Sequence, residues 1–183
     1  MAGQMGPMRR GPERHRGAGD VLRRRADGYP AAMQWQRLEE GRSGATHVLV
    51  LDPGEDPVVC LNGFARDRGV GAAQITAVGA FETAVVGWFD RAAKDYRRIR
   101  VDEQCEVLSL IGDVAEDEQG PTAHVHTVLG LADGSTRGGH LLEARVWPTL
   151  EVVLRSSPTV LRKTFRPGIG LALISPSRPG EAS

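Results

Sequence analysis

From Thr46 to Leu51 the chain is β-branched and apolar, a pattern that predicts a strand. Asp52-Pro53-Gly54 reads as a turn. Asp56 then offers an N-cap with Pro57 at the first helical position. Val58, Leu61 and Phe64, with Ala65, recur at helical spacing, and Gly69 is placed to end the helix. Beyond it the pattern is mostly strand. Ala73 to Phe81 alternates, and Thr83 to Phe89 follows as a second strand. Asp95 to Val101 is polar enough for an edge. Glu106 to Ile111 is apolar and predicts a buried strand. Thr122 to Leu129 and Gly138 to Val146 flank Asp133-Gly134, Thr149 to Arg155 follows, and Gly168 to Ile174 is a short last strand. One early helix followed by antiparallel strands predicts an α+β domain, mainly antiparallel sheet with one principal helix, over residues 45–175. Residues 1–44 are expected to form a disordered or extended N-terminal tail, and residues 176–183 to fray.

Composition adds an asymmetry. The formal net charge is zero over 183 residues, but residues 1–32 carry a net of +4 and residues 33–183 a net of −4. Sequence-independent nucleic-acid binding needs a positive surface, which the folded part does not offer on average. The first 32 residues are rich in Gly, Pro and Arg without apolar periodicity. Arg9-Arg10-Gly11-Pro12 resembles an AT-hook superficially, but the arginine between Gly and Pro is missing. A second reading is that translation starts at Met33 and the first 32 residues extend the reading frame upstream. Cys60 and Cys105 lack CxxC spacing and read as buried free thiols. No apolar run is long enough to span a membrane, and no apolar stretch follows the N-terminal arginines, so a cytoplasmic location is expected.

The candidate chemistry lies in three of the five histidines: His124, His126 and His140. Alternation along a strand puts His124 and His126 on one side, with Cα atoms about 6.6 Å apart at roughly 3.3 Å per residue. The third depends on hairpin register. A three-residue loop Ala132-Asp133-Gly134, with Gly134 at positive φ, pairs Leu131 with Ser135 and hence His126 with His140. A two-residue turn on Asp133-Gly134 would pair Thr127 with His140 and turn that side chain to the other face. Gly138 and Gly139 remove bulk beside His140, which fits a pocket or a plain bulge. Three neutral imidazoles with an open fourth position are a catalytic-type arrangement for a divalent metal, with zinc the default and iron, nickel or copper open. The alternative is three histidines that only hydrogen-bond within a sheet. No general base is singled out: Glu82, Glu106, Glu143 and Glu151 are candidates by type alone.

The stretch from Thr46 to Ile174 resembles the plants-and-prokaryotes-conserved (PPC) domain. The matching segments are Leu51-Asp52-Pro53-Gly54-Glu55, Ile75 to Ala80, Gly87-Trp88-Phe89-Asp90, Tyr96, and Glu106 to Gly112. The most specific are His124-Val125-His126 and Asp133-Gly134 through Gly138-Gly139-His140-Leu141. The resemblance implies a homotrimer and a fold similar to acetolactate decarboxylase, whose zinc is held by histidines that include a His-x-His pair. In plants the domain follows AT-hooks in nuclear proteins; bacterial members commonly stand alone. The plant assembly motif Gly-Arg-Phe-Glu-Ile-Leu is replaced here by Glu103-Gln104-Cys105-Glu106-Val107-Leu108, so plant-type partner binding does not carry over.

The expected function is therefore a trimeric metal-binding protein, with a small-molecule ligand and an enzymatic role both left open. The alternative is a DNA-associated regulatory protein in which the domain is the oligomerisation module and the Arg-rich tail makes weak contact with DNA. A chain beginning at Met33 should melt at the temperature of the full chain. Any DNA affinity should fall steeply with salt and vanish with the tail; sequence-specific binding by the shortened chain would contradict this.

Overall fold

The computed structural model describes residues 33–176. The expectations for residues 1–32 and 177–183 fall outside them. The elements are β1 (Gln34–Gly41), β2 (Gly44–Leu51), α1 (Pro57–Arg68), β3 (Ala72–Asp90), β4 (Asp95–Val101), β5 (Cys105–Asp117), β6 (Gly120–Gly130), β7 (Thr136–Ser156), β8 (Lys163–Arg166) and β9 (Leu171–Ile174). This is the expected α+β fold, mainly antiparallel sheet with one helix. None of the helices described is long and apolar enough to cross a membrane.

Three differences from the sequence reading have physical causes. Gln34–Gly41, part of the expected tail, forms strand β1, paired antiparallel with β2. Every residue of β1 is exposed, so it shows no apolar alternation to read. The two strands expected between Ala73 and Phe89 are one strand, β3. Its register shifts at Gly79, where a Cβ would lie 2.3 Å from the Thr149 carbonyl oxygen, and Ala80 and Phe81 are both buried. The bulge breaks the alternation without ending the strand. Likewise Gly138–Val146 and Thr149–Arg155 are parts of the single strand β7, which continues through the exposed Trp147 and Pro148.

Seven strands form one sheet in the order β1-β2-β7-β6-β5-β3-β4, and a further pairing of β7 with β3 joins β3, β5, β6 and β7 into a ring. β7 is the axis of this arrangement. One edge follows β3 from Ala73↔Ser156 to Gly87↔His140. The other edge is divided: Leu150–Arg155 pairs with β2, and Thr136–His140 pairs with β6. Between them β7 has no strand neighbour on that side, and the segment leading into α1 fills the gap. The Gly54 N–H donates to the Val146 carbonyl at 2.8 Å, and the Val146 N–H donates to the Glu55 carbonyl at 3.0 Å.

The helix begins and ends where the sequence places it. Asp56 Oδ1 accepts from the Val58 and Val59 N–H groups at 2.8 and 3.1 Å, and Gly69 closes the helix in the left-handed region at φ 62°. Two of its polar groups also reach across the fork between β6 and β7. Asp56 Oδ2 accepts from the Ala144 N–H at 3.3 Å, and Asn62 Oδ1 accepts from the Ala123 N–H at 2.7 Å. Leu61, Phe64 and Ala65 bury the inner face of the helix against a core that includes Leu49, Leu51, Ile75, Phe81, Leu110, Leu129 and Leu150. Cys105 is buried and Cys60 half-buried; both are free thiols. Burial pushes them up to about 11 and about 12, so neither is a ready nucleophile.

Asp56→Ala removes a helix cap and leaves the Ala144 N–H without its partner. It should destabilise the protein by about 1–2 kcal/mol, read as a lower urea midpoint at unchanged slope, with Asp56→Asn recovering only the helix-capping part, because its amide nitrogen cannot accept from the Ala144 N–H.

Candidate metal centre

The site sits where β6 and β7 part. The connecting loop has the three-residue form: the Leu131 N–H donates to the Ser135 carbonyl and the Gly134 N–H to the Leu131 carbonyl, both at 2.9 Å, with Gly134 at φ 80°. The Asp133 carboxylate accepts from the Ser135 N–H at 2.8 Å and holds the turn. From this loop the strands pair as Gly130↔Thr136 up to His126↔His140, the last paired position before they diverge. His140 therefore has β6 on one side and Gly87 of β3 on the other. Val125 and Leu141, the neighbours of these histidines, are buried in the core, so alternation turns the imidazoles to the opposite, outer face.

All three histidines meet there. One ring nitrogen from each of His124, His126 and His140 lies within 4.8 Å of the other two. The Nε2 atoms of His124 and His126 are 3.2 Å apart. Two nitrogens bound at about 2.0–2.1 Å to one tetrahedral ion are about 3.3 Å apart, so this edge has the spacing of a ligand pair. Ring centroids are separated by 5.0 Å for His124 with His126, 5.0 Å for His124 with His140 and 5.3 Å for His126 with His140.

The surroundings keep the His126 and His140 rings neutral. Burial, with His124 and His126 adding to it, pushes the His140 imidazole down to about 4. Burial and the neighbouring His124 lower His126 too. Neutral imidazole is the form that ligates metal. His140 Nδ1 is buried and has no hydrogen-bond partner, an orphan that a metal ion would satisfy. The Tyr96 ring stacks on His140 with centroids 4.8 Å apart and planes 17° from parallel, and Phe89 packs edge-on behind Tyr96. That stack needs glycine at position 87, where a Cβ would come within 2.7 Å of the Tyr96 ring. A Cβ on Gly139 would lie 2.5 Å from the Gly87 carbonyl oxygen, so Gly139 allows β3 and β7 to approach rather than opening space for a ligand.

The sequence reading missed two charged residues beside the cluster. Asp113 on β5 pairs with His124, and its Oδ2 is 3.5 Å from His124 Nδ1. That contact favours a proton on Nδ1 and leaves Nε2 free to face His126. Lys163 on β8 is nearly buried; its ammonium lies 3.6 Å from Asp113 Oδ1 and donates to the Thr122 carbonyl at 3.3 Å. Burial opposes ionisation of Asp113, but His124 and Lys163 outweigh it and hold the carboxyl below its usual range. Asp113 had a signal. The β5–β6 hairpin turns through Glu118 and Gln119 with Asp117 paired to Gly120, and counting back from that turn puts Asp113 opposite His124. Lys163 had none, because it arrives on a strand the sequence pattern does not show.

Glu82, Glu106, Glu143 and Glu151 do not join the cluster. Glu82 pairs with Arg145 at 2.6 Å and Glu143 pairs with Arg98. Beside the histidines, Gln74, Ile111, Asp113, His124 and His126 line an open depression of about 390 Å³.

Solved structures share this fold. A metal-containing protein from Archaeoglobus fulgidus is 36% identical with a TM-score of 0.68, over 73% of this chain and 95% of that one. A plant- and prokaryote-conserved protein from Pyrococcus horikoshii is 27% identical with a TM-score of 0.69, over 79% and 96%. A candidate DNA-binding protein from Bacteroides thetaiotaomicron, 23% identical with a TM-score of 0.70 over 77% and 96%, shares the fold. Among curated proteins none matches the chain. The family model for the Plants and Prokaryotes Conserved domain matches residues 38–158, a span that takes in the helix, the paired hairpins and all three histidines, and the chain belongs to that family.

Proposed function

We propose that this protein binds a divalent metal ion, zinc by default, through His124, His126 and His140, and presents it to a small-molecule ligand. The convergence of three imidazoles on one outer face carries this reading. The 36% identity to a metal-containing protein supports it. Three nitrogen ligands leave a coordination position open, and an ion held in that way supplies Lewis acidity. The protein's own contributions are separate. Tyr96 fixes the plane of the His140 ring. Asp113 sets the tautomer of His124, and Lys163 keeps Asp113 ionised. The depression beside Ile111 and Gln74 gives a ligand its approach.

We also propose the homotrimer that the family resemblance implies. The face around the histidines supports assembly. Ile111 and Val153 share it through their common partner Thr76, and with Val78 they are 44–59% exposed. The DNA-associated reading finds less support, because residues 33–183 carry a net of −4.

Purified protein should carry stoichiometric metal through dialysis, and His126→Ala should lose it; metal-free wild type from several preparations would end the proposal. Asp113→Asn should weaken metal binding by about 10–100-fold, measured by competition with a chromogenic chelator. Light scattering should return a trimer mass at micromolar concentration, and a monomer mass would remove the assembly reading.

Metal-free protein should lose stability as the pH falls from about 6.5 to about 4. The folded state holds the His140 imidazole below its ordinary range, so the unfolded chain binds more protons in that window and acid favours unfolding. Urea midpoints in the presence of chelator should drop from pH 7 to pH 5, with a smaller drop in His140→Asn.

A further inference from the structure

A second pocket lies on the opposite side of the sheet. His47 on β2 points the same way as Leu49 and Leu51, into the layer covered by α1, and is only 7% exposed. Its ring packs edge-on against Phe64 at 5.3 Å and beside Trp35 at 5.9 Å. Arg37 of β1 stands directly opposite His47 in the register, and Trp35 directly opposite Leu49. These residues, with Glu40 of β1, Arg68 in the last turn of α1 and Ser156 at the end of β7, line a cavity of about 220 Å³.

The hydrogen-bonding capacity here is unbalanced. His47 Nδ1 is buried and has no partner. A buried polar atom without a partner is costly, and a ligand that supplies one removes the cost. Arg68 lies over the Trp35 ring, 4.1 Å from its centroid, and no ion pair to it is formed among the described residues. Arg37 pairs with Glu40 at 2.7 Å across an exposed contact that solvent weakens. Ser156 is not available: its hydroxyl is shared with the N–H and carbonyl of Ala45. That leaves the Arg68 guanidinium and one imidazole nitrogen without a polar partner, with the Arg37 guanidinium shared with Glu40. Burial and both arginines lower the His47 pKa against the opposing pull of Glu40, so the ring is neutral and can offer Nδ1–H.

We propose that the pocket between Trp35, Arg37, His47 and Arg68 binds a small oxyanion ligand, a carboxylate or a phosphate monoester. Guanidinium forks match both groups, and either can take an additional bond from the imidazole. A volume of about 220 Å³ admits a small metabolite and no polymer. Trp35 and Arg37 precede the family match, which begins at residue 38, so two of the ten residues that line the pocket lie outside the matched span. The proposal is independent of the metal centre.

Trp35 provides the readout. Inorganic phosphate and succinate are titrated separately into the full-length protein at constant ionic strength, with tryptophan fluorescence recorded. A saturable change with either anion is expected. It should be absent in Trp35→Phe, which retains the aromatic packing and removes the indole signal. Arg68→Gln should weaken the response by roughly tenfold or more, since a charge-assisted bond is lost. His126→Ala should leave it intact, which separates this pocket from an anion bound at the histidine cluster. Phosphate alone identifies a phosphate-type ligand, and succinate alone a carboxylate. No saturable change with either anion overturns the proposal. So does a response that survives Arg68→Gln unchanged, or one that is lost in His126→Ala.

Discussion

The divided edge of β7 is the constraint on which the rest of the molecule depends. A strand of 21 residues follows β3 from His140 to Ser156, through several register shifts, but cannot keep one partner on its other side. β2 takes one end and β6 the other, and the backbone groups between them need partners elsewhere. The segment before α1 and the Asp56 side chain provide them. Helix and sheet are thus joined by hydrogen bonds at fixed positions as well as by apolar packing. Moving the helix along the sheet would leave the Ala123 and Ala144 N–H groups unpaired.

The histidine cluster follows from that geometry. His126 and His140 are the last pair before β6 and β7 part, so the core face beneath them is occupied by Val125, Leu141 and the helix, and the outer face is left to the imidazoles. Gly87 and Gly139 allow β3 and β7 to close together there, and the space above Gly87 is taken by Tyr96. The aromatic stack desolvates His140, and desolvation keeps it unprotonated. Backbone approach, ring orientation and protonation state therefore have a common origin in two residues without side chains.

The two pockets use histidine differently. At the fork, three rings crowd together with one nitrogen of each within 4.8 Å of the other two, and a nearby carboxylate orients one of them. That is an environment for a cation. Under α1 a single ring stands between two guanidiniums. That is an environment for an anion. The sheet separates them, since His47 aligns through Leu154 and Ile75 with the inner face, while His126 aligns through Ile111 with the outer one.

Local pattern settled a good deal of this protein by itself. Asp56-Pro57 and Gly69 set both ends of the helix, because caps depend on nearest neighbours. Asp133-Gly134 marked the hairpin loop and narrowed its register to two, of which the three-residue form pairs His126 with His140, because register propagates from a turn. Tertiary structure decided what depends on distant partners. β1 is held by its ladder to β2 and by the contacts of Trp35 with His47, Phe64 and Arg68, and with every residue exposed it leaves no apolar alternation. β3 and β7 continue through a bulge and a proline because β3 and β7 brace each other along their length. Asp113 joins His124 across a hairpin, Tyr96 reaches His140 over Gly87, and Lys163 returns from a late strand to meet Asp113. The sequence alone thus determined which residues are the candidate ligands, whereas their protonation and orientation arise from burial and long-range contact, which exist only once the chain has folded.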